Sequence, residues 1–250
     1  GAVIVSVGVG PIFIVNAVAF AIFMFGLFFV RSGAREKRRP SAGVGAEIAE
    51  GFFYAARHPG IRPLMLVLAV ISVIARPLES FIPGFAGDVF QTGAQGQAIL
   101  TAAMGTGAMA AGIYLTQRPG VKGLTAIFAT MTAGLGVALV IFTSNDVFWI
   151  GVPTMAAIGF AVLTDSLAAR MLIQTATVAR MRGRVASLYG IILRGMGSIG
   201  AILLGVIADI AGLRVTFFIA GLVCLGTCLW TLRLKSVITP ALETPPEQKV

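Results

Sequence analysis

GFAVLTDSLAARMLIQTATVARMRGRVASLYGIILRGMGSIGAILLGVIAD, the sequence of residues 159–209, consists of two long apolar runs joined by a short basic segment. The first run extends back to Val147, so each run has about 20 residues or more, enough at about 1.5 Å per residue to cross the ~30 Å hydrocarbon core of a bilayer. The basic segment holds Arg180, Arg182 and Arg184, which cannot lie in hydrocarbon. The stretch therefore predicts two antiparallel membrane-spanning helices joined at one aqueous face.

The composition excludes an ordinary soluble domain. The chain has 250 residues and a mean hydropathy of +0.94, and 12% of its residues are charged, against about 25% in soluble proteins. The net charge of +9 comes from basic residues between apolar runs, and these form no continuous patch. Basic loops facing an anionic lipid surface explain this charge, so we expect a lipid bilayer, and no nucleic acid, as a partner.

Further apolar runs have the length of a membrane span. They are residues 11–30, 63–85, 98–116, 124–142 and 215–232. With the two runs of 147–209, they predict an all-α polytopic bundle with about seven complete spans. Residues 1–9 are apolar but too short to cross, and are expected to be the end of a span that begins before residue 1.

The loops between these runs alternate in charge. Arg214 is the only basic residue in the loops of one side, whereas every loop of the other side contains Lys or Arg. Since cytoplasmic loops carry the excess of Lys and Arg, the basic side is predicted to be cytoplasmic, together with the C-terminus. The basic residues are Arg31, Arg35, Lys37, Arg38, Arg39, Arg57, Arg62, Arg118, Lys122, Arg180, Arg182, Arg184, Arg233 and Lys235.

Four segments follow from this topology. Residues 1–31 contain the end of one span and a complete one, and residues 32–62 form a cytoplasmic linker with an amphipathic helix at 47–57. Residues 63–236 form a bundle of about six spans. Residues 237–250 form a cytoplasmic tail.

Charged residues inside spans are the first candidates for function, because each costs about 2.5–3.5 kcal/mol to insert unless it is paired or faces water. Arg76 and Glu79 are three residues apart on one predicted helix face, with Pro77 between them as a possible hinge. Two interpretations stay open. The pair lines a transport pathway, or it is a self-neutralised structural pair.

Asp165 and Arg194 lie at similar depth, about 13 Å from the basic end of consecutive spans, which permits a buried ion pair between them. In a functional interpretation, Asp165 accepts a proton and releases Arg194 during a cycle, because an unpaired buried charge is unstable. In the alternative, the pair is a permanent structural clamp.

The remaining chemistry is sparse. Gly105, Gly107, Gly197 and Gly200 are expected at close helix–helix contacts. Cys224 and Cys228, one helical turn apart, are expected to be free thiols, and the single histidine gives no metal motif. With no nucleophile triad and no phosphate loop, we expect no cofactor, no metal and no enzymatic activity.

Several motifs resemble the transmembrane secretion effector, or enterobactin exporter-like, group of the major facilitator superfamily. They include Arg57-His58-Pro59 with Arg62, Phe85-Ala86-Gly87-Asp88-Val89, the loop motif Arg182-Gly183-Arg184-Val185, and Ala208-Asp209 with Gly212 and Arg214. The resemblance covers essentially the whole chain and maps onto the second half of the family's architecture. Two features depart from it: Val178-Ala179-Arg180 replaces an acidic stretch, and residues 112–122 lack the Asp of the superfamily's Gly-rich basic loop.

This resemblance implies a secondary active exporter in the bacterial inner membrane. Its substrates would be small hydrophobic or amphiphilic compounds, drug-like or siderophore-like, moved by alternating access in exchange for protons. The N-terminal half of the same transporter would be a partner, and Arg76, Glu79, Asp165 and Arg194 would lie on the substrate or proton pathway. The alternative function is a non-transporting membrane scaffold or receptor derived from a truncated transporter.

Overall fold

A computed structural model describes residues 10–29, 43–118 and 120–243, and the described residues contain helices and turns but no strand. The chain divides into two compact units, Gly1–Val44 and Gly45–Val250. In the first unit, helix α1 spans Gly10–Phe28, where residues 11–30 were predicted to cross the membrane. Predictions for residues 1–9, 30–42 and 244–250 lie outside the described residues.

The helices from residue 43 onward correspond closely to the predicted spans. Each apolar run forms one long helix, and two of these helices contain a π-helical turn, at Phe85–Val89 and at Ile192–Met196. The helices are α2 Gly43–Arg57, α3 Ile61–Gly84, α4 Gly93–Thr116, α5 Leu124–Ser144, α6 Phe148–Ala176, α7 Arg182–Ile191, α8 Gly197–Ala211, α9 Leu213–Arg233 and α10 Lys235–Glu243.

Six of the described helical segments are long and apolar enough to cross a membrane. The segment Ala179–Ala211 joins a 3-10 turn, α7, the second π turn and α8 into one span, and Ile61–Val89 joins α3 to the first π turn. A shorter apolar stretch, Phe13–Gly26, lies in α1. The all-α polytopic bundle is therefore confirmed.

Two connections are shorter than the sequence predicted. The connection expected between the apolar runs 63–85 and 98–116 is reduced to Phe90–Thr92, because the π turn continues α3 and α4 begins at Gly93. At the basic segment, a helical turn begins at Ala179, so that Arg182 and Arg184 lie within α7. The Nε of Arg182 donates to the carbonyl oxygen of Thr177 at 3.2 Å, which ties this helix start to the end of α6.

The bundle is built from helix pairs around α6. Helix α6 packs between α4 and α5, and α9 packs on the other side of α5. Helix α3 packs against α8 and the second π turn, and it also contacts α9. Helix α6 and the span 179–211 are consecutive and antiparallel, as predicted.

Small residues allow the closest of these contacts. A Cβ at Gly107 would lie 1.9 Å from the carbonyl oxygen of Ala156, and a Cβ at Gly200 would lie 2.1 Å from that of Val73, so neither position has room for a side chain. At Gly197 the contact is with a side chain, since a Cβ there would lie 3.1 Å from Cδ of Arg76. Gly105 differs from the expectation: it is exposed, and a Cβ there would meet nothing within 4 Å.

The last described helix, α10, folds back onto the bundle. Ile238 and Leu242 of α10 are buried, and Leu242 packs against Gly60 at the start of α3. The carboxylate of Glu243 accepts hydrogen bonds from the backbone N–H groups of Gly123, at 2.8 Å, and Thr125, at 3.0 Å. Glu243 therefore caps the first turn of α5, where the free N–H groups of a helix favour an anion.

Candidate functional site

An open groove of about 670 Å³ lies between the second half of α6 and the helical segment from Ala186 to Gly195. Its polar side chains include Arg170 and Gln174 from α6, Tyr189 from α7 and Arg194 from the π turn. Arg170 and Arg194 are both exposed. The groove therefore brings together two guanidinium groups from consecutive spans.

The position of Arg194 depends on the π turn Ile192–Met196. A π turn inserts one extra residue into a helix, rotates the side chains that follow, and often occurs at functional sites. Arg194 is exposed, and Gly195 and Gly197 follow it closely in the sequence. Sequence reasoning missed this turn, which no residue pattern around Arg194 marks specifically.

Tyr189 joins the two walls of the groove. Its hydroxyl donates a hydrogen bond of 2.8 Å to the carbonyl oxygen of Ser166 in α6. The bond holds α7 against α6 beside the two arginines. Tyr189 was not among the candidate residues predicted from the sequence.

Arg76 borders the same region from α3. Its side chain packs over Gly197, two residues beyond the groove residue Gly195, and the charges of Arg76 and Arg170 both reach the hydroxyl of Tyr189 electrostatically. Arg76 is exposed and lies near the middle of its span. Arg76 and Arg170 thus act on Tyr189, and Arg194 lines the same groove.

Neither predicted ion pair is formed within residues 10–29, 43–118 and 120–243. The described ion pairs join Glu50 to Arg180 and Arg184, and Asp146 to Arg214. Arg76, Glu79 and Arg194 are exposed instead, in none of these pairs. Equal depth along two helices is necessary for an ion pair, but it is not sufficient, because the side chains must also share a face.

Asp165 lies away from the groove. Its side chain is fully buried, and Oδ2 lies 3.3 Å from the hydroxyl of Thr132 in α5. The other carboxylate oxygen, Oδ1, has no hydrogen-bond partner among the described residues. Asp165 therefore faces the packed interior of α5 and α6, whereas Arg194 faces the open groove, which explains the missing ion pair.

The Thr132 hydroxyl has two possible acceptors. It lies 2.9 Å from the carbonyl oxygen of Phe128 and 3.3 Å from Asp165, but it has only one proton. If that proton goes to Phe128, Asp165 can bond to Thr132 only as a protonated acid that donates. If Asp165 is ionised, it accepts a hydrogen bond from the Thr132 hydroxyl. This arrangement can bind and release a proton with little movement of heavy atoms.

The thiols near this carboxyl group are buried. Cys224 and Cys228 are both free, as predicted, and Cys228 lies 3.3 Å from the carbonyl oxygen of Ala129. The described residues contain no group of three or more His, Cys, Asp or Glu side chains that could hold a metal ion.

The basic loop motif is covered by the amphipathic helix α2. Glu50 pairs with Arg184 at 2.5 Å and with Arg180 at 3.6 Å, and a Cβ at Gly51 would lie 3.1 Å from the Cβ of Arg184. Beside it, His58 accepts hydrogen bonds of 3.2 Å from the N–H groups of Gly60 and Ile61 and so caps α3. The motif therefore anchors a helix, a contact that the sequence analysis did not predict.

The opposite end of the bundle has a different charge pattern. A crevice of about 760 Å³ is lined by Asp88 from the first π turn, Asp209 from α8 and Arg214 from α9. Arg214 pairs with Asp146, which links the start of α9 to the connection between α5 and α6. The three arginines near Tyr189 lie apart from these carboxylates.

Comparison with known proteins agrees with this architecture. A family model described as transmembrane secretion effector matches residues 1–249. The chain is also 27% identical over 207 residues to the multidrug efflux pump Tap of Mycolicibacterium fortuitum, a match that covers 81% of the chain and 50% of the pump. The chain thus spans about half the length of the curated relative that it matches.

Proposed function

The chain belongs to the transmembrane secretion effector family of major facilitator superfamily transporters, and from this premise we propose that it forms the C-terminal half of a proton-coupled exporter of small hydrophobic or amphiphilic compounds. Membership supports a multi-pass membrane protein with a role in transport or efflux.

One observation carries the proposal: exposed arginines lie deep within apolar helices. Arg76 lies about 22 Å along its helix from Ile61, and Arg194 lies about 15 Å along its helix from Arg184, the last residue of the basic segment. A cation facing lipid at that depth costs about 2.5–3.5 kcal/mol on insertion scales. The face that carries these arginines is therefore expected to line a water-filled cavity, as a transport pathway requires.

A pathway open along one side needs a second wall. Transporters with internal repeats bind substrate near the midplane of the membrane, between two halves that rock against each other. The relative Tap is about twice as long as the matched region, which supports a second set of spans as the missing wall. The proposed partner is therefore the N-terminal half of the same transporter.

Asp165 is the proposed proton-binding group. It is buried, it shares the Thr132 hydroxyl proton with the Phe128 carbonyl oxygen, and its Oδ1 has no described partner. Because Asp165 is separate from the arginines, proton binding would act through the packing of α5 and α6 and not by releasing an ion pair. Arg76, Glu79 and Arg194 remain the proposed substrate-pathway residues.

The proposed location is the bacterial inner membrane, with the basic ends of the helices and the C-terminus in the cytoplasm. We propose no enzymatic activity. The alternative function is a membrane scaffold or receptor without transport. In that case helix α2, which Glu50 holds against the bundle, would provide the surface that a partner binds.

Inverted membrane vesicles that contain the natural polypeptide test this function. Respiration acidifies the vesicles, and a proton-coupled exporter should release protons when an anionic, neutral or cationic amphiphile is added outside. Vesicles without the protein, and vesicles treated with an ionophore, are the controls. No compound-dependent proton release from correctly inserted protein, together with specific capture of a partner, would favour the scaffold.

A further inference from the structure

We propose that the groove beside α6 binds the anionic head of an amphiphilic compound, so that its ligands carry a carboxylate, sulfonate or phosphate group next to an apolar body. That this ligand is also the transported substrate rests on the proposed function. The binding site itself is defined by Arg170, Tyr189 and Arg194, with Arg76 beside it.

The charge of the groove selects an anion. Arg170 and Arg194 line it, Arg76 borders it, and no carboxylate lines it among the described residues. None of the three arginines takes part in an ion pair in the described part of the chain. A cationic ligand would be repelled, whereas a bound anion would compensate charges that are expensive at membrane depth.

Guanidinium groups also suit the geometry of the proposed head group. A guanidinium presents paired N–H donors that match two oxygens of a carboxylate, sulfonate or phosphate. The Tyr189 hydroxyl cannot replace them as a donor, because its proton is already given to the Ser166 carbonyl oxygen. Tyr189 therefore acts as a positioning residue that fixes the groove wall.

Apolar side chains supply the rest of the site. Ile173, Ile191 and Leu193 line the groove next to the arginines. The volume of about 670 Å³ lies within the range of about 300–1,000 Å³ found for small-molecule sites. A compound with an anionic head and an apolar body fits both parts of this lining.

A matched pair of fluorescent probes tests the proposal on the natural polypeptide in a neutral maltoside detergent. The probes are 11-(dansylamino)undecanoic acid and its methyl ester, which differ in the carboxylate charge. We expect the acid to bind at least about 10-fold more tightly than the ester, since charge-assisted hydrogen bonds are stronger than neutral ones. Equal affinities would overturn the proposal.

Single substitutions locate the site. Arg170→Gln and Arg194→Gln should each weaken binding of the acid about 10-fold and leave binding of the ester unchanged, whereas Arg194→Lys should retain part of the affinity. Arg233→Gln, an exposed arginine at the end of α9, is the matched control and should change neither. An equal loss in Arg233→Gln would mean nonspecific attraction and overturn the site.

Two further measurements keep the outcome clear. If a variant does not fold, the test is the salt dependence of acid binding to the unsubstituted protein. Salt should weaken this binding, and salt-independent binding would contradict the proposal. Phosphatidylglycerol is tested as a competitor. If it displaces the acid at lower concentrations than dodecyl sulfate does, the groove binds a membrane lipid, and the identification of its ligand with a transported substrate is wrong.

The binding assay is independent of transport. Arginine-dependent binding of the acid without proton release in vesicles would support the binding site and contradict the proposed function. Equal proton release with anionic and neutral amphiphiles would support the proposed function and contradict the proposed ligand class.

Discussion

The hydroxyl of Tyr189 donates a 2.8 Å hydrogen bond to the carbonyl oxygen of Ser166, the residue that follows the buried Asp165. The bond connects the wall of the basic groove to the backbone next to the candidate proton-binding carboxyl group. Its two partners lie on consecutive spans. Any movement of α7 relative to α6 must therefore break this bond or move the backbone around Ser166 together with Tyr189. Tyr189 is thus the most direct described link between the two candidate sites.

Tyr189→Phe should therefore loosen the groove without changing its charge. The loss of one hydrogen bond is expected to cost about 0.5–1.5 kcal/mol of unfolding free energy. Both dansyl probes should bind a few-fold more weakly, because the apolar wall and the arginines lose their fixed position together. Thermal unfolding and probe titration measure the two effects.

Tyr114→Phe is the matched control for this substitution. Tyr114 is exposed on α4, and only its ring contact with Phe160 is described. It should leave both stability and probe affinity unchanged. If Tyr189→Phe weakened only the acid, the hydroxyl itself would bind the anion, and the positioning role would be wrong.

Asp165→Asn should be tolerated by the fold but should abolish proton coupling. An amide keeps the shape of the side chain and a hydrogen bond to Thr132, and it removes the risk of a buried unpaired charge, so stability should change by less than about 1 kcal/mol. Proton release in vesicles should disappear, and transport should no longer vary with pH. Asp209→Asn, at the opposite end of the bundle, should leave both unchanged.

Destabilisation of Asp165→Asn by several kcal/mol would contradict this interpretation, because the charge would then serve as a structural clamp. Normal proton release from the folded variant would remove Asp165 from the coupling mechanism. Thermal unfolding in detergent and the vesicle assay, run on the same preparation, separate the two outcomes.

The spans could be predicted from the sequence, but the side-chain partners could not. Hydropathy and length are summed over many residues, so the prediction of a span does not depend on any single residue. The Asp165–Arg194 pair depended on the rotation of two helices, and the π turn Ile192–Met196 changes that rotation by one inserted residue. No local residue pattern is specific enough to place such a turn.

Contacts across long sequence separations were equally invisible. Glu243 caps α5 more than a hundred residues earlier in the sequence, and Glu50 pairs with Arg184 more than a hundred residues later. Both carboxylates lie in segments that looked polar and unpartnered in the sequence. Their partners emerge only when the ends of several helices meet at one side of the bundle.

Glu50→Gln should release helix α2 from the basic loop motif. Glu50 is about half exposed and pairs with two arginines, so the substitution should cost no more than about 1 kcal/mol of global stability. The local effect should be larger, with faster amide hydrogen exchange in residues 45–57 than in the unsubstituted protein. Glu79→Gln, an exposed carboxylate on α3, is the control.

Exchange in residues 45–57 that is unchanged in Glu50→Gln would show that apolar packing, and not the ion pairs, holds α2. High salt offers a second check, because it should accelerate the exchange of this helix in the unsubstituted protein but have little effect in the variant.

Gly107→Ala and Gly105→Ala should have opposite effects on stability although they lie on the same helix. A methyl group at Gly107 would meet the Ala156 carbonyl oxygen at 1.9 Å, and that oxygen belongs to a backbone that cannot rotate away, so α4 and α6 must move apart. Such overpacking costs about 1–3 kcal/mol. Gly105 has nothing within 4 Å, and alanine stabilises a helix by about 0.5–1 kcal/mol relative to glycine. Unfolding in mixed micelles should therefore shift to lower denaturant concentration for Gly107→Ala and slightly higher for Gly105→Ala; equal shifts would show that α4 and α6 do not pack in this register.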